Sequence, residues 1–356
     1  MSSVVTRVLD DSFFNTELVA KGCNFYNATM GFPETSLAGA FNKTIMLHQG
    51  TFIEFYGFTP SEAYNQTFRV SNPTSGDSTL EYPEPGTGGL FYTTLSDVLV
   101  QFDGPLLLFD YAVASVTELE ILHDQTIIVD DSNTEIQWGG NWEEKRNYTL
   151  NRPLGFQGGS WGATVNARPH GNGTHESDKV GDYFIFQFQG SSILVGGITP
   201  QNRTDPIYQV VLANISELSS FDNFHLKLNF TLDGYSQAAV FTGETISQPV
   251  GTPHFPYFQN DSLAEGNHTL VMTVDDVTGN TSVVIDYLTY KPSFATLKDK
   301  PIFPPIILNG NSTSSPDPPS DPPPGPRSNT ATIIGRSGKY ASLTGGDLRI
   351  HQQCPI

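Results

Sequence analysis

The stretch Phe224-His225-Leu226-Lys227-Leu228-Asn229-Phe230 alternates strictly, with Phe224, Leu226, Leu228 and Phe230 on one side and His225, Lys227 and Asn229 on the other. Successive side chains of a strand point to opposite faces, so this stretch reads as a β-strand with one buried and one wet face. Asp182 to Gln189 repeats the pattern through Phe184, Phe186 and Phe188, and His268 to Val274 does so through Leu270, Met272 and Val274. Clusters of Gly, Pro, Asn, Asp and Ser separate such runs, and no stretch carries a convincing helical period. The chain therefore reads as all-β, built of antiparallel sandwiches.

Three pairs of short segments recur in the same order. Val8-Leu9-Asp10-Asp11-Ser12 matches Ile128-Val129-Asp130-Asp131-Ser132. Gln49-Gly50-Thr51-Phe52-Ile53, leading to Gly57-Phe58-Thr59-Pro60, matches Gln189-Gly190-Ser191-Ser192-Ile193, leading to Gly197-Ile198-Thr199-Pro200. Leu108-Phe109-Asp110-Tyr111 matches Val284-Ile285-Asp286-Tyr287. The offsets grow from 120 to 140 to 176 residues, so the second copy is longer by two insertions. The first of these carries Trp138, Trp142 and Trp161, the only tryptophans. The expected organisation is a shorter sandwich over 1–120, a longer one over 121–293, a Pro-rich stalk over 294–330 and a disordered tail over 331–356.

Lys and Arg total 18 against 37 Asp and Glu, a formal charge of -19, which repels phosphate backbones and anionic lipid. Nucleic acid is excluded as a partner class; neutral polymers and cations are not. The acceptor pattern Asn-x-Ser/Thr occurs twelve times, at Asn27, Asn42, Asn65, Asn147, Asn172, Asn202, Asn214, Asn229, Asn260, Asn267, Asn280 and Asn311. Chance supplies about four, so the excess points to a glycoprotein that passes through the secretory route, extracellular or at the cell surface. No apolar leader follows Met1, since Asp10 and Asp11 arrive at once, and the expectation is that a leader precedes this sequence. Cys23 and Cys354 lie near opposite ends and outline no disulfide framework.

The repeat, Ile136-Gln137-Trp138-Gly139-Gly140-Asn141-Trp142 and the Pro-rich stretch after Lys300, taken in order, resemble surface proteins of mushroom-forming fungi. The resemblance covers residues 4–330. It implies tandem galactose-binding-like or carbohydrate-binding-module-like jelly rolls, a low-complexity stalk and one membrane span. This chain departs from it at Arg336-Ser337-Gly338-Lys339, where the span would run, so membrane attachment through that span is not expected of the residues given. Because the first and last strands of a jelly roll can lie side by side, Asp130 or Asp131 would approach Asp286, and Asp10 or Asp11 would approach Asp110. Such sandwiches can hold a structural calcium on acidic residues placed this way, a hard cation on oxygen ligands; solvated turns and strand-end bonds to backbone N–H groups are the alternative.

Trp138, Trp142 and Trp161 sit among glycines and asparagines, where flat indoles suit stacking on sugar rings or else cap the core of the longer copy. Gly158-Gly159-Ser160-Trp161-Gly162 has the spacing of a hydrolase nucleophile elbow without the strand-turn-helix context that chemistry needs. His170, His175 and Glu176 flank a sequon in a Gly-rich stretch and read as a loop. The sequence therefore supports a non-catalytic module that binds glycan or cell-wall polymer. The alternatives are a structural or adhesion ectodomain without its own small ligand, and a carbohydrate-active enzyme, which would need two facing carboxylates.

Overall fold

The computed structural model describes residues 4–10, 25–26, 36–46, 52–58, 67–72, 76–81, 90–95, 99–148, 150–158, 162–200, 224–246 and 251–306. The first copy supplies strands β1 (Thr6–Asp10), β2 (Phe25–Tyr26), β3 (Ser36–Met46), β4 (Ile53–Phe58), β5 (Thr67–Asn72), β6 (Gly76–Glu81), β7 (Leu90–Leu95) and β8 (Leu99–Ser115). In the second copy, β9 (Thr126–Asp130), β10 (Ile136–Gly139), β11 (Glu143–Arg146), β12 (Leu150–Gly158), β13 (Gly162–Ala167) and β14 (Gly173–Ser177) come first. They are followed by β15 (Tyr183–Gly190), β16 (Ile193–Ile198), β17 (His225–Leu232), β18 (Tyr235–Thr242), β19 (Phe255–Asn260), β20 (Gly266–Thr278) and β21 (Val283–Tyr290). Every strand pair is antiparallel, and among the described residues no helix is long and apolar enough to cross a membrane.

The alternating stretches form one sheet in the order β10-β15-β20-β17-β18. Phe184, Phe186 and Phe188 on β15, Leu226, Leu228 and Phe230 on β17, and Leu270, Met272 and Val274 on β20 are at most 2% exposed. This face packs on Ile127, Val129, Val195, Ile285, Leu288 and Tyr290 of the facing sheet, making the second copy a closed sandwich. Burying one such side chain contributes about 1.5–3 kcal/mol, so these rows dominate the stability of the module.

The repeat reappears as hydrogen-bond register. β4 pairs β8 through Tyr56↔Tyr111 and then Gly57↔Phe109, skipping Asp110. β16 pairs β21 through Gly196↔Tyr287 and then Gly197↔Ile285, skipping Asp286 at the equivalent step. Each copy thus carries the same β-bulge on its closing strand. The glycine at the second copy's bulge is required: a Cβ on Gly197 would lie 1.9 Å from the Val284 carbonyl oxygen.

The opening strands then join the copies. β1 pairs β9 through Thr6↔Ile128, Arg7↔Ile127 and Val8↔Thr126. Arg7 and Ile127 are repeat equivalents, so the contact is isologous and a pseudo-two-fold axis passes between them. The resulting run β16-β21-β9-β1-β8-β4 is palindromic within a 14-stranded sheet. Three paired residues supply only a few backbone bonds of about 0.5–1.5 kcal/mol net each. Much of the junction is side-chain packing: Val8, Tyr56, Tyr111, Val113, Ile128 and Tyr287 form one buried cluster, with Tyr56 stacked on Tyr111 at 4.5 Å and 3°.

The Pro-rich stalk does not begin at residue 294, as the composition suggested. Residues 291–306 are docked on the second copy: Phe294 is 6% exposed, Ile121 bridges Thr296, and the Leu122 N–H donates to the Ala295 carbonyl at 3.0 Å. Lys300 Nζ reaches Glu135 at 2.5 Å, and the Ile306 N–H donates to Gln137 Oε1 at 3.0 Å. Prolines here stiffen a strap that has partners; a free spacer has none. The remainder of the stalk, the tail, Cys23 and Cys354 lie outside the described residues.

Candidate functional site

The polar centre of the second copy lies where β9 ends. Asp131 follows the last residue of β9 and is 0% exposed. Its N–H donates to the Asp286 carbonyl at 3.0 Å, which fixes the backbone, and its carboxylate accepts from three nitrogens. Arg146 Nη1 and Nη2 reach it at 3.2 and 3.3 Å, and His175 Nδ1 lies 2.6 Å from Oδ2. Arg146 also holds Glu144 at 2.6 Å, and Lys145 holds the buried Glu176 at 2.6 Å. Burial pushes the Asp131 carboxyl up to about 6; the His175 bond and Arg146 pull it down, and Asp130 pushes it further up.

Asp286 sits at the bulge where β21 changes partner from β14 to β9. It is 0% exposed, and neither carboxylate oxygen has a hydrogen-bond partner. Burial raises its pKa well above the usual carboxylate value. The His170 backbone N–H faces it and favours the anion, but makes no hydrogen bond of normal geometry. Asp130 is half-buried; its Oδ1 accepts from the Ser132 N–H at 2.8 Å, while its Oδ2 lies against Gly171 and has no partner.

The strand neighbourhood expected for the aspartates is therefore present: Asp130 pairs Tyr287 in register, and Asp10 pairs Tyr111. Asp131 spends its oxygens on Arg146 and His175, and no group of three or more His, Cys, Asp or Glu with metal-ligand spacing occurs among the described residues. The Arg146 guanidinium supplies the positive charge beside Asp131, while Asp130 Oδ2 and both Asp286 carboxylate oxygens have no hydrogen-bond partner. Asp10 and Asp110 lie on β1 and β8, and Asp11 lies outside the described residues.

His170, His175 and Glu176 correct another expectation. They are not on a solvated loop: His170 opens a single 3-10 turn over 170–172, His175 and Glu176 lie on β14, and all three are less than 10% exposed. His170 is in the junction cluster, with Nδ1 3.3 Å from the Tyr111 hydroxyl, while His254 Nδ1 lies 3.1 Å from the Tyr287 hydroxyl. Burial takes His170 down to about 4, Asp130 opposing and His254 reinforcing the shift. Neither Arg146 nor His254 carried a sequence signal, because their partners lie 15 and 33 residues away.

The tryptophans cap the sandwich. Trp138 and Trp142 are half-buried against its core, and their rings meet at 59°, so they are not coplanar. The Trp138 indole stacks on His175 at 4.2 Å and donates to the Asp131 carbonyl at 3.1 Å. Trp142 donates to the carbonyls of Gly139 and Tyr183 at 3.2 and 3.0 Å. Both indole N–H groups are thus already committed. Trp161 lies outside the described residues, between β12 and β13, which pair through Gly158↔Gly162 as a hairpin and so lack the helix of a nucleophile elbow.

On the outer face of the second copy's five-stranded sheet the charged groups gather at one end, where Lys227 reaches Asp275 at 3.0 Å and His225 reaches Asp276 at 3.2 Å; the rest of that face is uncharged. In register, it carries Gln137, Val271, Thr231 and Ser236 in one row, with Ile185 of the same row only 1% exposed, and Gln187 beside Thr269 in the next. Tyr183, Thr273 and the sequon Asn229 form a third row. Among the sequons, Asn147 and Asn267 are exposed, and Asn172, Asn229, Asn260 and Asn280 are half-buried. Asn42 is on β3, and Asn27, Asn65, Asn202, Asn214 and Asn311 lie outside the described residues.

No protein-family model matches the chain, and no curated protein does. Among solved structures, the CBM36-1 domain of a multidomain xylanase from the hindgut metagenome of Trinervitermes trinervoides is similar, with 15% identity and a TM-score of 0.25 over 48% of this chain and 99% of that one. The plant receptor-like kinase ANX2 is similar at 10% identity and a TM-score of 0.30, over 83% and 100% of the two chains. The crystal structure of the plant peptide RALF23 in complex with FER and LLG2 matches at 12% and 0.26, over 80% and 94%. At these identities and scores the likeness is one of architecture, and no residue role is carried over from it.

Proposed function

We propose that this chain is a non-catalytic extracellular glycoprotein whose second module binds a neutral glycan, such as a cell-wall polysaccharide. The observation that carries the reading is a division of polar groups. Asp131, His175, Arg146, Glu144, Lys145 and Glu176 are paired among themselves, as are Lys227 with Asp275 and His225 with Asp276 at one end of the five-stranded sheet, whereas the rest of its outer face offers Gln, Thr and Ser beside the half-buried Val271. Amides and hydroxyls match sugar hydroxyls without imposing a charge, and Val271 offers apolar surface to the C–H faces of the rings. Six described sequon asparagines reach solvent, which supports the glycoprotein part of the reading. The test is electrophoresis of the secreted chain through gels containing neutral or acidic polysaccharides. Retardation by at least one neutral polymer is expected, and unchanged mobility in all of them overturns the reading.

A second reading is favoured by one observation, the continuous sheet that welds the copies through β1 and β9. A rigid double module suits an adhesion spacer with no small ligand. Unchanged mobility in every gel, with the fold intact, selects it.

A further inference from the structure

A cavity of about 610 Å³ opens beside the edge strand β10, between the outer face of the five-stranded sheet and the strap at 297–305. Thr134, Gln137 and Gln187 contribute amide and hydroxyl groups to its wall, and Phe303 contributes an aromatic ring. Its volume falls in the range of about 300–1,000 Å³ usual for small-ligand sites, and it lies near the join of the two copies, since Val5 of the first also lines it. From these features we infer that this cavity is the glycan subsite of the molecule and that it takes a neutral oligosaccharide. The inference rests on the glycan-binding reading above and moves the site away from the tryptophans.

Three independent features converge there. The first is an unmet polar group: Gln187 Oε1 is buried without a hydrogen-bond partner, although its side chain lines the cavity. A buried amide oxygen without a donor is a standing cost, which a ligand hydroxyl would relieve. The second is charge. In a chain of net -19, the wall holds two carboxylates, Glu118 and Glu135, and two ammonium groups, Lys298 and Lys300, and the Lys300–Glu135 pair closes at 2.5 Å. The wall thus carries no net charge and offers neither an acidic nor a basic ligand a net attraction.

The third is apolar surface. Among the described residues seven large hydrophobic side chains are exposed, and four of them belong to the segments around this cavity. Ile302, 97% exposed, lines it; Val4 and Leu119 are next to the lining residues Val5 and Glu118; Ile121 bridges Thr296 beside Leu297. Apolar side chains around a polar wall of balanced charge fit a ligand with C–H faces and hydroxyl edges. The Asn229 sequon stands on the same sheet face two strands from Gln187, so a glycan there leaves the β10 side open.

The test uses the full secreted chain and a panel of neutral hexasaccharides (β-1,3-glucan, β-1,4-glucan, β-1,4-xylan, chitin and mannan), each titrated by calorimetry. Gln187→Leu and Phe303→Ala are compared with Trp142→Phe, each variant first shown to keep the wild-type melting temperature within a few degrees. The expected result is that the hexasaccharide bound by wild type is bound about tenfold more weakly by both cavity variants and unchanged by Trp142→Phe. Should either cavity variant fail to fold, Gln187→Glu, which adds a third carboxylate to the charge-balanced wall, is expected to give the same loss. Wild-type binding that survives the cavity variants overturns this subsite and leaves the glycan reading standing. Binding only of acidic oligosaccharides or of a proline-rich peptide overturns the neutral-ligand assignment, and no binding to any of the panel removes both readings.

Discussion

The burial of Asp131 makes a quantitative prediction about pH. Its carboxyl is held near 6 in the folded chain against 3.8 for the free group, because burial outweighs Arg146 and His175. Between those values the folded state binds more protons than the unfolded state, so this group's contribution falls as pH rises from about 4 and is fully lost above about 6. Two pKa units correspond to about 3 kcal/mol. Asp131→Asn keeps the side-chain volume and removes the titration. The constant cost of weakening the Arg146 and His175 bonds cancels when one compares pH values. Unfolding should be followed in guanidinium by tryptophan fluorescence, since all three tryptophans lie in the second copy. The stability of Asp131→Asn relative to wild type should improve by about 3 kcal/mol between pH 4 and pH 7.5. A difference that does not change with pH, or that moves the other way, refutes the claim that Asp131 is a desolvated acid.

His170 gives the opposite slope. Its folded value near 4 lies below the 6.5 of the free ring, so its contribution is present above about 6.5 and is lost as pH falls toward 4. A two-dimensional NMR titration should find its ring neutral at pH 5, and His170→Gln should flatten the acid limb by about 3 kcal/mol. Gly197→Ala brings a methyl to 1.9 Å from the Val284 carbonyl, so breaking the bulge should cost about 3 kcal/mol or more, read as a large drop in the melting temperature of the second module. Trp142→Phe leaves the carbonyls of Gly139 and Tyr183 without their indole donor; denaturant unfolding should show a loss of about 1–2 kcal/mol.

Alternation was enough to place β15, β17 and β20 and to choose their inner faces, because the period of two is a local property of extended backbone. The short repeat was enough to pair β1 with β9 as equivalents, and β4 with β16, since the offsets 120 and 140 reproduce the observed strand bounds. It also flagged Asp286, whose bulge recurs at Asp110. The segment around His170 and His175 was misread because a fully buried strand such as β14 shows no alternation, and its glycines and sequon imitate a loop.

What local pattern could not supply is anything that depends on residues far apart in the chain. The isologous contact of β1 with β9 spans about 120 residues and is set by which edges remain free once each copy has closed. The engagement of Asp131 by Arg146 and His175, the committed indoles of Trp138 and Trp142, and the docking of a Pro-rich segment as a strap all follow from that assembly. The sequence by itself determined that this is a twice-repeated β-protein with an acidic pair at each opening strand. Only the tertiary structure decided that one of those acids would be spent inside the fold, because burial and pairing are properties of the closed sheets and not of any single strand.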